Sequence, residues 1–87
     1  MWYVYVLQSR KNQKWFYKGT TSDLMRRFKE HNKGEVDSTR AHRPLALVYC
    51  EIYVDEKVAK EREVSIRKKL SEWKPVMMRI LRSLGDL

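Results

Sequence analysis

The segment Trp2–Leu7 constrains the fold more than any other part of the chain. Its sequence, Trp-Tyr-Val-Tyr-Val-Leu, consists of aromatic, β-branched and aliphatic residues, so both faces of an extended strand are apolar. A strand of this kind is stable when it lies inside a sheet and is covered on each side. The segment therefore predicts the central strand of a layered fold.

A hairpin is predicted next. The polar stretch Gln8–Lys14 interrupts the apolar pattern, and Trp15–Thr20 resumes it, so two antiparallel strands are expected around a seven-residue loop. A simple hairpin of this kind places Tyr5 opposite Tyr17, with their Cβ atoms about 5 Å apart on one face. A bulge would shift this register and leave both tyrosines on one sheet. The pattern alone fits a pair of reactive phenols or an aromatic packing pair, which is the commoner arrangement.

A helix is predicted after the hairpin, with Ser22 or Asp23 as its N-cap and Gly34 near its end. Its inner stripe has apolar or semi-apolar residues at helical spacing, namely Leu24, Phe28 and His31. Arg27 flanks this stripe. Because Arg27 and His31 are four residues apart, both are expected near the boundary between helix and sheet.

The segment Glu35–Pro44 is polar and is predicted to be a surface loop. It carries three side chains that can contact phosphate, Arg40, His42 and Arg43.

The next helix is predicted to contain an anomalous acid. Leu45–Val54 is expected to be the third strand, and Asp55 to cap a helix from Glu56 to about Leu70. The apolar face of this helix comprises Ala59, Ile66 and Leu70. Glu63 falls on the same face, where a carboxylate is costly unless a cation, a metal ion or hydrogen-bond donors compensate it.

The end of the chain completes the fold prediction. Pro75 suits the first turn of a last helix that Gly85 ends. The apolar face of this helix comprises Met77, Ile80, Leu81 and Leu84. The order strand, strand, helix, strand, helix, helix indicates an α+β fold, with a small three-stranded antiparallel sheet flanked by helices. A chain of 87 residues supports one core, so residues 1–87 are expected to form a single domain.

Charge and cysteine content indicate which binding partner and which cellular compartment to expect. Nineteen Lys and Arg against eleven Asp and Glu give a net charge of +8, which favours nucleic acid, although a basic surface also serves solubility alone. Cys50 is the single cysteine and lies in an apolar run, so a buried thiol and a reducing, cytoplasmic setting are expected. The N-terminal apolar run is too short for a signal-peptide core or a membrane span, so neither export nor membrane insertion is expected.

Four short motifs follow one another along the chain. They are Tyr3-Val4-Tyr5, Tyr17-Lys18-Gly19, Arg27 with His31-Asn32, and Ala59 four residues before Glu63. In this order and spacing, the chain from Trp2 to about Leu70 resembles the GIY-YIG nuclease domain family, in particular its stand-alone, single-domain members. Tyr3 stands where the first motif names glycine, and Lys18 where the second names isoleucine, and neither change removes a reactive group. A late asparagine of some members has no clear counterpart after Glu63.

The resemblance implies an endonuclease that uses Mg²⁺ or Mn²⁺ to hydrolyse phosphodiester bonds in DNA, as in homing, restriction and DNA-repair nucleases. It implies that Glu63 binds the metal, that Arg27 contacts phosphate and that His31 lines the site. Tyr17 is favoured as general base or water-orienting group, with Tyr5 positioning the water or relaying its proton, and the sequence leaves the reverse assignment of the two phenols open. Further contacts to nucleic acid are expected from Lys18, Arg26, Arg40, Arg43 and Arg67.

Several alternatives stay open at this point. Arg27 and Glu63 also suit a salt bridge between two helices. The chain also suits a nucleic-acid-binding module that keeps the nuclease shape without turnover. An RNA-recognition fold is disfavoured by the early hairpin, and an adaptor that binds only protein has no positive feature behind it. For an endonuclease, DNA is favoured over RNA, and its selectivity is expected to come from DNA shape or from a protein partner.

Overall fold

The computed structural model describes residues 1–85, which form three strands and four helices. The strands are β1 (Trp2–Ser9), β2 (Phe16–Thr21) and β3 (Leu45–Tyr53), and they form an antiparallel sheet in the order β2-β1-β3. The helices are α1 (Leu24–Asn32), α2 (Asp37–Arg40), α3 (Glu56–Lys68) and α4 (Leu70–Ser83). The predicted α+β fold is confirmed, with β1 at the centre of the sheet. Between residues 1 and 85, no helix is both long and apolar enough to cross a membrane.

The central strand is covered on both faces, as its sequence predicts. On one face, Val4 and Val6 are fully buried against residues of α3 and α4, namely Ala59, Ile66, Val76 and Ile80. On the other face, Tyr5 and Leu7 form a second cluster with Leu45 and with side chains of β2 and α1. The core therefore consists of two layers, one on each side of β1.

The hairpin register differs from the predicted one by two residues. Tyr5 pairs with Gly19, and Tyr17 pairs with Leu7, so the two tyrosines are diagonal neighbours on one face. The prediction was wrong because β1 continues through Gln8 and Ser9, which are both buried. The hydrogen-bonding groups of their side chains find carbonyl partners outside the strand. Gln8 Nε2 donates to the carbonyl of Gln13 at 2.9 Å, and Ser9 Oγ donates to that of His42 at 2.7 Å.

The segment predicted as a surface loop contains a short helix. α2 occupies Asp37–Arg40, and Thr39 within it is fully buried. The side chain of Asn32 fastens the following chain to α1, because its Oδ1 accepts from the Leu45 N–H at 2.8 Å and its Nδ2 donates to the Leu45 carbonyl at 3.0 Å. The loop is therefore held against the sheet.

The boundary between the last two helices also differs. α3 ends at Lys68, the extended backbone of Lys69 interrupts the helices, and α4 begins at Leu70, five residues before Pro75. Leu70 was predicted to be buried but is 72% exposed, because it starts a new helix after this break. Packing of Trp73 against the Phe16 ring, with ring centroids 5.4 Å apart, holds the early part of α4 on the sheet.

Cys50 was also predicted to be buried and is exposed. It shares one face of β3 with Ile52, which is exposed as well, so no helix between residues 1 and 85 covers this part of the sheet.

A polar network ties β3 to the helices on the other face. Glu51 accepts two hydrogen bonds from Arg62, at 2.9 and 3.0 Å, and one each from the hydroxyls of Tyr49 and Tyr53. Burial opposes ionisation of Glu51, but these hydrogen bonds dominate and lower its pKa to about 2. Arg62 also reaches Glu72 at 3.4 Å, so one guanidinium links β3, α3 and α4.

Candidate active site

An open cleft of about 350 Å³ lies where β2 meets α1 and α3. It is lined by Tyr5, Tyr17, Gly19, Thr20, Arg27, Lys60, Glu63, Val64 and Arg67. Both tyrosines, Arg27, Glu63 and Arg67 had been singled out from the sequence, and the fold brings them to one place. Three cationic side chains face one carboxylate here, so the cleft suits an anionic ligand.

Tyr5 reaches the cleft by crossing over β2 at Gly19. A Cβ atom at Gly19 would lie 2.5 Å from both Cζ and Oη of Tyr5, so only glycine leaves room for the ring. The Tyr5 and Tyr17 rings are 6.3 Å apart between centroids. Gly19 therefore decides where the Tyr5 phenol lies, a role that depends on the register and that the sequence did not reveal.

His31 is fully buried below the tyrosines and holds Tyr5 in place. Its Nε2 is 2.8 Å from the Tyr5 hydroxyl, and its Nδ1 is 2.8 Å from Thr39 Oγ1. Burial, with repulsion from Arg27 as a smaller cause, lowers the pKa of His31 to about 4, so the imidazole is neutral at pH 7.

The direction of these hydrogen bonds follows from the neutral imidazole, which has one donor and one acceptor nitrogen. The Thr39 hydroxyl donates to the Val36 carbonyl at 3.4 Å, so Thr39 Oγ1 accepts from His31 Nδ1–H. His31 Nε2 then accepts the proton of the Tyr5 hydroxyl. Thr39 in α2 thus sets the tautomer of His31, and through it the orientation of Tyr5.

Tyr5 is a weak acid in this environment. Burial and the neighbouring Tyr17 phenol raise its pKa to about 12, against a smaller lowering by Arg27. The Tyr5 phenol therefore keeps its proton at neutral pH and serves as a donor to His31. Tyr17 is half-buried, and its ring packs edge-on against that of His31 at 5.1 Å.

The charged residues of the cleft pair within their own helices. Arg27 Nη1 contacts Glu30 at 3.1 Å in α1, and Arg67 Nε contacts Glu63 Oε2 at 3.2 Å in α3. The salt bridges of residues 1–85 do not include one between Arg27 and Glu63, the alternative that the sequence left open. Each of the two arginines therefore contacts a carboxylate of its own helix.

Glu63 is the carboxylate available to a metal ion in this cleft. Its side chain is 16% exposed, and Arg67 engages one of its two oxygens, Oε2. In the described part of the chain, no group of three or more His, Cys, Asp or Glu side chains is placed to hold a metal. One carboxylate fits Mg²⁺ or Mn²⁺ when water and substrate phosphate supply the other oxygens.

The remaining basic residues singled out from the sequence lie away from the cleft or at its rim. Lys18 lies on the face of the sheet opposite to Tyr17, where its Nζ is 3.8 Å from the ring centroid of Trp73. Arg40 donates to the Gly34 carbonyl and Arg43 to the Arg40 carbonyl, so both brace the α2 region. Arg26 is exposed and contacts Glu30 at 3.4 Å beside the cleft.

Lys60 was not singled out from the sequence, although it lines the cleft. It lies three residues before Glu63 in α3, so it occupies the same side of the helix. The three-residue spacing from Glu63 is the sequence signal that could have identified Lys60.

Comparison with known proteins places the chain in a family. Residues 1–75 match the sequence profile of the GIY-YIG catalytic domain. A UPF0213 protein of Desulfotalea psychrophila is 36% identical over 69 residues, which cover 77% of this chain and 61% of that protein. This chain therefore spans about three fifths of the length of that relative.

Two further proteins agree with this assignment. A UPF0213 protein of Clostridium perfringens is 38% identical over 67 residues, covering 76% of this chain and 70% of that protein. The solution NMR structure of the UPF0213 protein BH0048 from Bacillus halodurans superimposes with a TM-score of 0.52 at 27% identity, over 90% of this chain and 85% of that one. The chain belongs to the GIY-YIG catalytic domain family, and its relatives are UPF0213 proteins.

Proposed function

We propose that this protein is a divalent-metal-dependent endonuclease that hydrolyses phosphodiester bonds in DNA and selects its substrate by structure rather than by sequence. The convergence of Tyr5, Tyr17, Arg27 and Glu63 on one cationic cleft carries the proposal. Phosphodiester hydrolysis needs an oriented water, a proton acceptor and relief of negative charge on the phosphoryl oxygens. The cleft offers a group for each of these needs.

Glu63 would hold the Mg²⁺ or Mn²⁺ ion. Bound there, the ion would supply charge relief to the phosphate and lower the pKa of a water molecule. The fit rests on an enclosed carboxylate that faces a cleft open to phosphate oxygens, which are hard ligands of the kind these ions prefer.

The two phenols have different roles in this proposal. Tyr5 keeps its proton and is fixed by His31, so it positions groups in the cleft rather than accepting a proton. Tyr17 is the phenol that orients the attacking water, and as the phenolate it would accept the proton of that water. Arg27 contacts the scissile phosphate, because a guanidinium can donate two parallel hydrogen bonds to phosphate oxygens and retains its charge.

Selectivity for DNA structure follows from the chemistry of the cleft. Its cationic and phenolic side chains suit contacts to phosphate and sugar, which position a nucleic acid without reading base edges. Deformable or branched DNA, which can present a strand to a small cleft, is therefore the preferred substrate. We further propose that the protein acts in the cytoplasm, in DNA repair, with a protein partner adding specificity.

Cleavage of a substrate panel tests the proposal. Single-stranded, flapped and branched DNAs are incubated with the protein and Mg²⁺ or Mn²⁺, and nicking is followed on a denaturing gel. We expect metal-dependent nicking of at least one flapped or branched DNA, reduced at least about 100-fold in Glu63→Gln and Tyr17→Phe. Glu61→Gln removes an exposed acid from the same helix outside this cleft and should cut normally. Undiminished cutting by Glu63→Gln would exclude the proposed site.

A binding module without turnover is the second candidate, and one observation favours it. Glu63 is engaged by Arg67, with no second acid placed beside it among the residues that line the cleft. A pure binding module would hold nucleic acid equally well in chelator, with an affinity that falls steeply with salt, and would cut none of the panel.

A further inference from the structure

On the α3 side of the cleft, two oppositely charged side chains form an ion pair but differ in their exposure to solvent. Glu63 and Arg67 are one turn apart, with 3.2 Å between Glu63 Oε2 and Arg67 Nε. The Glu63 side chain is 16% exposed, whereas that of Arg67 is 48% exposed. The carboxylate is therefore enclosed, and the guanidinium covers it from the solvent side.

This contact is easily exchanged. An ion pair at this helical spacing with one partner half-exposed is weak, since water and salt screen it. A guanidinium binds phosphate at least as well as carboxylate, because both ligands accept two parallel hydrogen bonds. A phosphate in the cleft thus offers the half-exposed Arg67 side chain an alternative partner.

The charge of the cleft favours the same exchange. Arg27, Lys60 and Arg67 outnumber Glu63, so the cleft is already cationic before a ligand enters. A divalent cation placed beside Glu63 meets this repulsion and competes with Arg67 for the carboxylate. A nucleic-acid backbone reverses both effects, because its phosphates neutralise the three cations and engage Arg67.

We propose that Arg67 couples metal binding to nucleic-acid binding. In the free protein it pairs with Glu63, and it moves to a substrate phosphate when nucleic acid occupies the cleft. The inference rests on the proposed function, since it takes Glu63 as the metal ligand. Its consequence is that the metal site is assembled only around substrate. By thermodynamic linkage, the factor by which nucleic acid tightens metal binding equals the factor by which metal tightens nucleic-acid binding.

The test measures metal and DNA binding separately, without relying on cleavage. Binding of Mn²⁺ to the DNA-free protein is followed by the electron paramagnetic resonance signal of free Mn²⁺. Binding of a fluorescein-labelled single-stranded DNA is followed by anisotropy in EDTA. We expect Arg67→Met to bind Mn²⁺ about three- to tenfold more tightly than the wild type, and DNA about three- to tenfold more weakly.

Lys68→Met is the matched control. It removes the same charge from the neighbouring residue, which is exposed and outside the cleft, so both affinities should stay within about twofold of the wild type. Arg67→Gln keeps a polar side chain and should change both affinities in the same directions as Arg67→Met. Thermal unfolding of each variant verifies that the fold is retained.

The two ways in which the reasoning can fail are distinguishable. If Glu63→Gln weakens Mn²⁺ binding but Arg67→Met and Arg67→Gln bind Mn²⁺ with the wild-type affinity, the coupling role of Arg67 is overturned and the metal site stands. If Glu63→Gln binds Mn²⁺ as the wild type does, the metal site itself is wrong, and the proposed coupling falls with it.

Discussion

Replacing Gly19 by alanine tests whether the Tyr5 ring crosses β2 as described. The new Cβ atom would lie 2.5 Å from Tyr5 Cζ and Oη, about 1 Å closer than an ordinary carbon contact. Tyr5 has little room to retreat, because it is 1% exposed and its hydroxyl is 2.8 Å from His31 Nε2. Overpacking of a core costs about 1–3 kcal/mol, and loss of this buried hydrogen bond adds about 1 kcal/mol.

We therefore expect Gly19→Ala to lower the free energy of unfolding by about 2–4 kcal/mol, measured by urea denaturation with tryptophan fluorescence. The backbone of Gly19 does not have a positive φ, so alanine itself is not strained there. In a Tyr5→Leu background, where the ring is absent, the same change should cost less than about 0.5 kcal/mol or stabilise slightly, because alanine restricts the unfolded chain. An equal cost in both backgrounds, or a negligible cost in the wild type, would refute the described path of the ring.

Two further predictions concern stability. Glu51 has a folded pKa of about 2, below its ordinary value of 4.5, so its ion pair with Arg62 stabilises the protein above about pH 4.5 and is lost as pH falls toward 2. The free energy of unfolding should fall by about 1–3 kcal/mol more between pH 7 and pH 3 in the wild type than in Glu51→Gln, and parallel curves would contradict this. Tyr5→Phe leaves buried His31 Nε2 without its donor and should cost about 1–3 kcal/mol in urea denaturation, whereas Tyr17→Phe should cost less than about 0.5 kcal/mol. An equal loss of unfolding free energy in Tyr5→Phe and Tyr17→Phe would contradict the hydrogen bond between Tyr5 and His31.

Local sequence determined most of the architecture. The two-sided apolar pattern of β1 required a covered central strand, and Asp23 and Asp55 cap α1 and α3 as predicted, each accepting a backbone N–H at 3.1 Å. These features depend on residues close together in the chain, so periodicity and capping chemistry reveal them. The same is true of the Glu63 anomaly, which follows from the helical spacing of Ala59, Glu63 and Ile66 alone.

The tertiary structure decided how the candidate site is assembled. The hairpin register depends on where Gln8 and Ser9 find hydrogen-bond partners, and for Ser9 that partner is the carbonyl of His42, 33 residues away. Because the register places Gly19 opposite Tyr5, it also decides where the phenol lies. Likewise, Glu63 pairs with Arg67 rather than with Arg27. Periodicity assigns a side chain to a face of its own element, but the partners across elements depend on loop paths and long-range hydrogen bonds, which no local pattern contains.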